Sequence, residues 1–146
     1  MGSLSLVTLW GEPLLETQSS ATVDFNTLVA SGPSILLWSD KREATDLVDA
    51  WVATLEAAGK PPLIIRSADL SALPFFVPRW TVKMMLTKTY KDVPFYLDFS
   101  AGLKARYGLP SNGVAALALG PGGQLRTRIV GAASDSGAAT LLASSR

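Results

Sequence analysis

The side chains that do most chemistry near neutral pH are missing: the 146 residues include no cysteine and no histidine. Without a thiolate or an imidazole there is no thiol redox chemistry, no disulfide, no thiolate metal site and no Ser-His-Asp or Cys-His nucleophile. Carboxylates, lysines, arginines and hydroxyls remain. Asp46 and Asp49 lie on one helical stretch, opposite its apolar stripe, and read as a solvated face. Asp92 and Asp98 flank a strand candidate with no metal-ligating neighbour, so no metal site is expected. Gly120-Pro121-Gly122-Gly123 lacks the Gly-Lys-Ser/Thr ending of a phosphate loop and precedes a strand, so it reads as a hairpin turn. No cofactor is implied.

The elements that must position these residues can be read from the patterning. At 48% hydrophobic and 17% charged, with mean hydropathy +0.28, the chain has the composition of one packed domain over residues 1–146. A net charge of +1 does not mark a nucleic-acid binder, and aromatics do not interleave with cations apart from Arg79-Trp80. Residues 1–73 carry 4 basic and 9 acidic side chains, and residues 74–146 carry 9 and 3. The halves attract each other within one fold, or the second offers a mildly basic face. No stretch approaches the ~18 apolar residues of a membrane span. The start, Met1 to Leu15, lacks the pattern of a signal peptide, and Gly2 is followed by Leu6 where a myristoylation motif wants Ser or Thr. A cytoplasmic protein is the expectation.

The clearest element is a helix after Asp40. Ala44, Leu47, Val48, Trp51, Val52 and Leu55 fall on one helical face. Asp40 followed by Glu43 reads as its capping box, Gly59 as a left-handed stop, and Lys60-Pro61-Pro62 prevents continuation. Ser34 to Trp38 and Leu63 to Arg66 read as strands on either side, making a βαβ unit with parallel strands. Phe95-Tyr96-Leu97 is a further strand candidate, and Ser100 to Tyr107 a short helix closed by Gly108. Val114 to Leu119 and Gln124 to Val130 form a hairpin whose last strand has one face near solvent. Ser134 caps a closing helix through Ala138, Leu141 and Leu142.

Taken in order, Ser34-Ile-Leu-Leu-Trp38 with its helix, Tyr96-Leu-Asp98, Tyr107-Gly108, Val114 to Leu119, Gly120-Pro-Gly-Gly123 and Arg128-Ile-Val-Gly131 resemble the thioredoxin-like superfamily. The nearest branch is that of peroxiredoxins and thiol-specific antioxidants (AhpC/TSA-like). The resemblance covers nearly the whole chain. It implies an α/β fold: a central mixed sheet flanked by helices, ending in a β-hairpin and a C-terminal helix. Residues 1–33 would be an N-terminal extension, with Gly11 in a turn and Val23 to Val29 leading into the first core strand. Residues 72–92 would be an apolar insertion.

Two departures from that family withdraw its activity. Catalytic relatives carry a cysteine between the first core strand and the helix, where this chain has Trp38-Ser39-Asp40-Lys41-Arg42. A serine hydroxyl has neither the acidity nor the soft nucleophilicity that a peroxide or disulfide requires. Thiol reductases also place a cis-proline where this chain has Gly113-Val114. The reading is therefore a non-catalytic domain that binds a protein partner or itself, through the groove beside Trp38 and the 72–86 stretch. Phe75, Phe76 and Trp80 would be the apolar anchors, with Arg79 and Lys83 as a polar rim. Pro74 and Pro78 argue against one regular helix over that stretch, and core packing of about half its apolar side chains competes with the interface reading. One alternative is a small-anion or small-ligand site at the helix start, built from Ser39, Lys41, Arg42 and Gly113. There Asp40 would compete with the anion. A further alternative is a redox protein whose native cysteine has been exchanged for serine.

Overall fold

The apolar run from Ser34 lies inside a seven-stranded sheet. A computed structural model of the chain describes residues 13–146; Gly2, Gly11 and the rest of the first 12 residues lie outside them. The elements are β1 (Leu14–Thr17), β2 (Thr22–Asp24), α1 (Phe25–Val29), β3 (Ser34–Ser39), α2 (Ala44–Ala58), β4 (Leu63–Asp69), α3 (Arg79–Tyr90), β5 (Tyr96–Asp98), α4 (Gly102–Tyr107), β6 (Val114–Leu119), β7 (Leu125–Val130) and α5 (Asp135–Ser144). The strand order is β2-β1-β5-β4-β3-β6-β7. As the βαβ pattern requires, β3 and β4 pair in parallel, Ser34 opposite Leu63 and Ser39 opposite Ala68. β5 continues in parallel on β4, whereas β6 runs antiparallel to β3 and β7 to β6.

β3 is buried on both sides, and the period-2 rule divides its side chains between two layers. Ile35 and Leu37 pack with Val48, Trp51, Leu55, Ala116, Ala118 and Leu141, under α2 and α5. Leu36 and Trp38 pack with Phe25, Leu103, Tyr107, Ala115 and Leu117, over α1 and α4. The result is a helix–sheet–helix sandwich with a mixed sheet in its middle. α5 approaches α2 closely because position 137 is glycine: a Cβ there would stand 2.9 Å from the Trp51 ring. The indole Nε1 of Trp51 donates to the Gly131 carbonyl at 3.1 Å, fixing the ring under the end of β7.

Several local expectations change. Gly59 is extended rather than left-handed, although its N–H does close the helix on Leu55. α2 begins at Ala44 with Glu43 at its N-cap and no side-chain cap, so Asp40 does not cap it. The strand expected over Phe95–Leu97 runs from Tyr96 to Asp98, and the helix expected from Ser100 starts at Gly102, with Ala101 left-handed before it. The 72–86 stretch is not one helix, but a regular helix does begin directly behind Pro78, which serves as N-cap of α3. Proline fits there because the first helical N–H groups have no partner within the helix. Gly108 and the capping role of Ser134 are as the sequence reads: Gly108 is left-handed, and the N–H of Gly137 donates to Ser134 Oγ at 3.0 Å.

Candidate functional site

In an open α/β sheet the carboxyl ends of parallel strands are where loops gather and ligands bind. Here β3, β4 and β5 end at one edge in Ser39, Asp69 and Asp98, all buried, and β6 starts there next to Gly113. The three polar side chains do different work. Ser39 Oγ donates to the Gly113 carbonyl at 2.8 Å and accepts from the Lys41 N–H at 3.1 Å. Asp98 accepts from the N–H groups of Ser100 and Leu103, 3.1 and 2.8 Å away, so it pins the start of α4. Asp69 Oδ1 accepts from Ser71 N–H at 2.8 Å, while its Oδ2 is buried with no hydrogen-bond partner among the described residues.

The loop from Asp40 to Glu43 is fastened to the chain that leads into β6. Asp40 accepts from the N–H groups of Asn112 and Gly113 at 2.9 and 2.8 Å, one on each carboxylate oxygen. Its own N–H donates to the Gly113 carbonyl. Thus Ser39 and Gly113, predicted as members of one site, do come together, and with Asp40, predicted as a helix cap and competitor of the anion, they form a clamp. Lys41 Nζ stands 3.7 Å from Glu43, and Arg42 is exposed. Chemically, the Ser39 proton is committed to a backbone carbonyl, and both carboxylate oxygens of Asp40 are committed to backbone N–H groups.

Beside this clamp a cavity of about 360 Å³ opens between the start of α2, the end of β4 and α3. Its wall is largely apolar, with Leu73, Val82, Met85, Leu86, Phe95 and Leu97, and polar side chains from Asp40, Lys41, Arg42 and Asp69 join it. Trp38, beside which the sequence suggests a groove, does not line this cavity, because its ring is wholly buried on the opposite side of the sheet, in the α4 layer.

The predicted anchors of the 72–86 stretch are on the surface. Phe75 is 100% exposed, Phe76 73% and Trp80 63%, and Met84 and Met85 on the following turns are exposed as well. The two phenylalanines touch edge to face with centroids 5.8 Å apart. Only Leu86 of α3 is buried. Arg79 and Lys83 are less free than a rim implies. Lys83 Nζ lies 2.6 Å from Glu16 on β1 with its side chain mostly covered, and Arg79 reaches the same carboxylate at 3.6 Å while lying over the Phe99 ring at 4.0 Å. Glu16 thereby ties the first half of α3 to the sheet, a role that position 16 gave no local sign of. Asp98 and Asp69 were also missed as structural groups, since their partners follow only from the strand ends meeting their loops. Among the described residues no group of three or more carboxylates is placed to hold a metal ion, and no helix is long and apolar enough to cross a membrane.

No protein-family model and no curated protein matches the sequence. Solved structures do match. The exposed lipoprotein thioredoxin of Streptococcus pneumoniae strain TIGR4 aligns with TM-score 0.65 at 16% identity, over 91% of this chain and 98% of that one. StoA from Bacillus subtilis aligns with TM-score 0.62 at 12% identity, over 90% and 96%. The peroxidoxin BcpB of Mycobacterium tuberculosis aligns with TM-score 0.58 at 14% identity, over 92% and 91%. At such identities the likeness speaks for architecture alone. With its mixed sheet, its flanking helices and no cysteine anywhere in its sequence, the chain has the thioredoxin-like fold of these proteins.

Proposed function

We propose that this is a non-catalytic thioredoxin-like domain that binds protein, either a partner or a second copy, through the surface made by Phe75, Phe76, Trp80, Met84 and Met85. The observation that carries the reading is the exposure of these five side chains within eleven successive positions, three of them aromatic. Soluble proteins scatter single apolar residues over their surfaces, whereas exposed large apolar side chains concentrated in one short stretch favour an interaction site. Aromatic anchors contribute most of the affinity in such surfaces when a partner removes them from water. The absence of a thiol supports a binding role over a redox one.

The anion reading at Ser39, Lys41, Arg42 and Gly113 has less behind it. The Lys41 N–H is taken by Ser39, the Gly113 N–H by Asp40, and the Lys41 ammonium faces Glu43. Only Arg42 supports it, as an exposed cation beside the cavity.

Sedimentation at two protein concentrations, with binding of a hydrophobic dye, tests the proposal on the parent chain and on a Phe75→Ser/Phe76→Ser/Trp80→Ser variant. The parent is expected to bind dye, and the variant to lose most of that signal while keeping its fold, since the three side chains are exposed. Any concentration-dependent association should vanish with it. A parent that stays monomeric and binds no more dye than the variant would defeat the proposal.

A further inference from the structure

The chain enters β6 through an exposed asparagine followed by glycine, Asn112-Gly113, a pair in which the backbone of one residue can attack the side chain of the other. We infer that Asn112 is a site of spontaneous deamidation and that the Asp40 carboxylate restrains the reaction in the folded chain. The inference is independent of the binding surface proposed above. In this chemistry the Gly113 nitrogen bonds to Cγ of Asn112 while the bond from Cγ to the side-chain nitrogen breaks. The side-chain NH2 leaves as ammonia, taking the proton that the Gly113 nitrogen gives up. A solvent water then opens the cyclic imide at either carbonyl, leaving aspartate or isoaspartate at position 112, and nothing is oxidised or reduced.

Three observations carry the inference. First, the pair is open to the reaction. Asn112 is exposed and left-handed, with φ 53°, a conformation asparagine tolerates. Position 113 has no side chain to shield the attacking nitrogen, and packing demands this, because a Cβ there would stand 2.8 Å from the Pro110 ring. The chain's other asparagine, Asn26, precedes Thr27, whose branched side chain crowds the same approach. Second, the proton that must leave is held. The Gly113 N–H donates to one oxygen of Asp40 at 2.8 Å and the Asn112 N–H to the other at 2.9 Å. A carboxylate beside the Gly113 nitrogen opposes the negative charge that develops there as its proton departs. Third, Ser39 Oγ donates to the Gly113 carbonyl at 2.8 Å, so the chain is fastened on both sides of the attacking nitrogen. Swinging that nitrogen toward Cγ means opening the clamp.

Peptide mapping that separates asparagine, aspartate and isoaspartate at position 112 tests this during incubation at neutral pH. The samples are the folded parent, the parent unfolded in urea, Asp40→Ala, Asp40→Asn and Val48→Ala, with Asn26 as the reference within each chain. Val48→Ala empties a buried position away from the clamp and controls for lost stability alone. The folded parent should convert at Asn112 at least about tenfold more slowly than the unfolded chain, about 1.4 kcal/mol in barrier. Both Asp40 variants should recover much of that rate while folded, and Val48→Ala should stay as slow as the parent. If Asp40→Ala does not fold, Asp40→Asn carries the comparison. A folded parent that converts as fast as the unfolded chain overturns the inference. So do Asp40 variants no faster than the parent, and so does a Val48→Ala protein that accelerates as much as they do.

Discussion

Asp40 stands where the sequence expects a helix cap and instead holds two distant N–H groups, so its removal measures what that clamp is worth. Each of its carboxylate oxygens accepts one backbone hydrogen bond, at 2.8 and 2.9 Å, and the side chain is only 18% exposed. Hydrogen bonds to a charged group contribute roughly 1.5–3 kcal/mol each. The Lys104 ammonium at 4.0 Å is too far and too wet to add much. Part of the loss is recovered when water reaches the freed N–H of Asn112, so Asp40→Ala should lower stability by about 2–4 kcal/mol rather than the full sum. Against a total of about 5–15 kcal/mol for a domain of this size, the shift is easily measured. Asp40→Asn keeps one acceptor and turns an amide donor toward the other N–H, and should fall about midway. Urea unfolding followed by tryptophan fluorescence gives the values, with an unchanged slope showing that the native fold is intact. Ser39→Ala removes the hydroxyl bond to the carbonyl of Gly113, the residue whose N–H the Asp40 side chain holds, so the two substitutions should couple rather than add. An Asp40→Ala protein within about 0.5 kcal/mol of the parent, the ordinary range for a surface change, would refute the clamp.

Two further predictions concern reactivity and pH. In Ser39→Cys the new thiol sits at a wholly buried position, so it should react with a thiol reagent far more slowly than the thiol of Lys41→Cys in the loop and should not turn over peroxide; rapid labelling at position 39 or peroxide turnover would instead favour a lost redox role. All three tyrosines hold their protons more tightly than free tyrosine: Tyr96 and Tyr107 through burial, Tyr90 through burial and its hydrogen bond to Asp49. Their pKa values are raised on folding, so this part of the stability is complete below about pH 10, where the unfolded phenols titrate, and is lost as pH rises toward the folded values. Absorbance titration should show tyrosinate lagging behind the free amino acid and arriving with unfolding; a curve centred at or below about pH 10 would contradict it.

The parts of the fold legible in the sequence were those with local periodicity or turn chemistry. The stripe from Ala44 to Leu55, the apolar run of β3 and the Gly-rich turn before β7 each announce one element, and their order fixes a parallel unit followed by a hairpin. What escaped was non-local. Local rules assign Asp40 to the helix three residues on, but the β3–β6 pairing brings Asn112 and Gly113 to it, and those N–H groups win the carboxylate. β1 is four residues long, begins directly behind Pro13 and has polar Glu16 and Thr17 as its second half, so nothing in its composition signals a strand that pairs with β5. The sequence suggests a groove beside Trp38, yet strand alternation turns that ring into the α4 layer, away from the cavity. The exposed aromatics were legible because prolines at 74 and 78 break the pattern that would have buried them.

The last strand of the sheet has a consequence for how copies of this chain meet. Among the described residues, β7 leaves one row of backbone groups without a neighbouring strand, an open template on which another molecule's strand could add. Two arginines stand along it: Arg126 reaches the Ser144 and Arg146 carbonyls, and Arg128 reaches those of Tyr107 and Gly108, where it also meets the negative end of α4. Charged side chains on an edge strand disfavour the addition of another strand, so these two guanidinium groups make this rim a poor template for edge-to-edge growth.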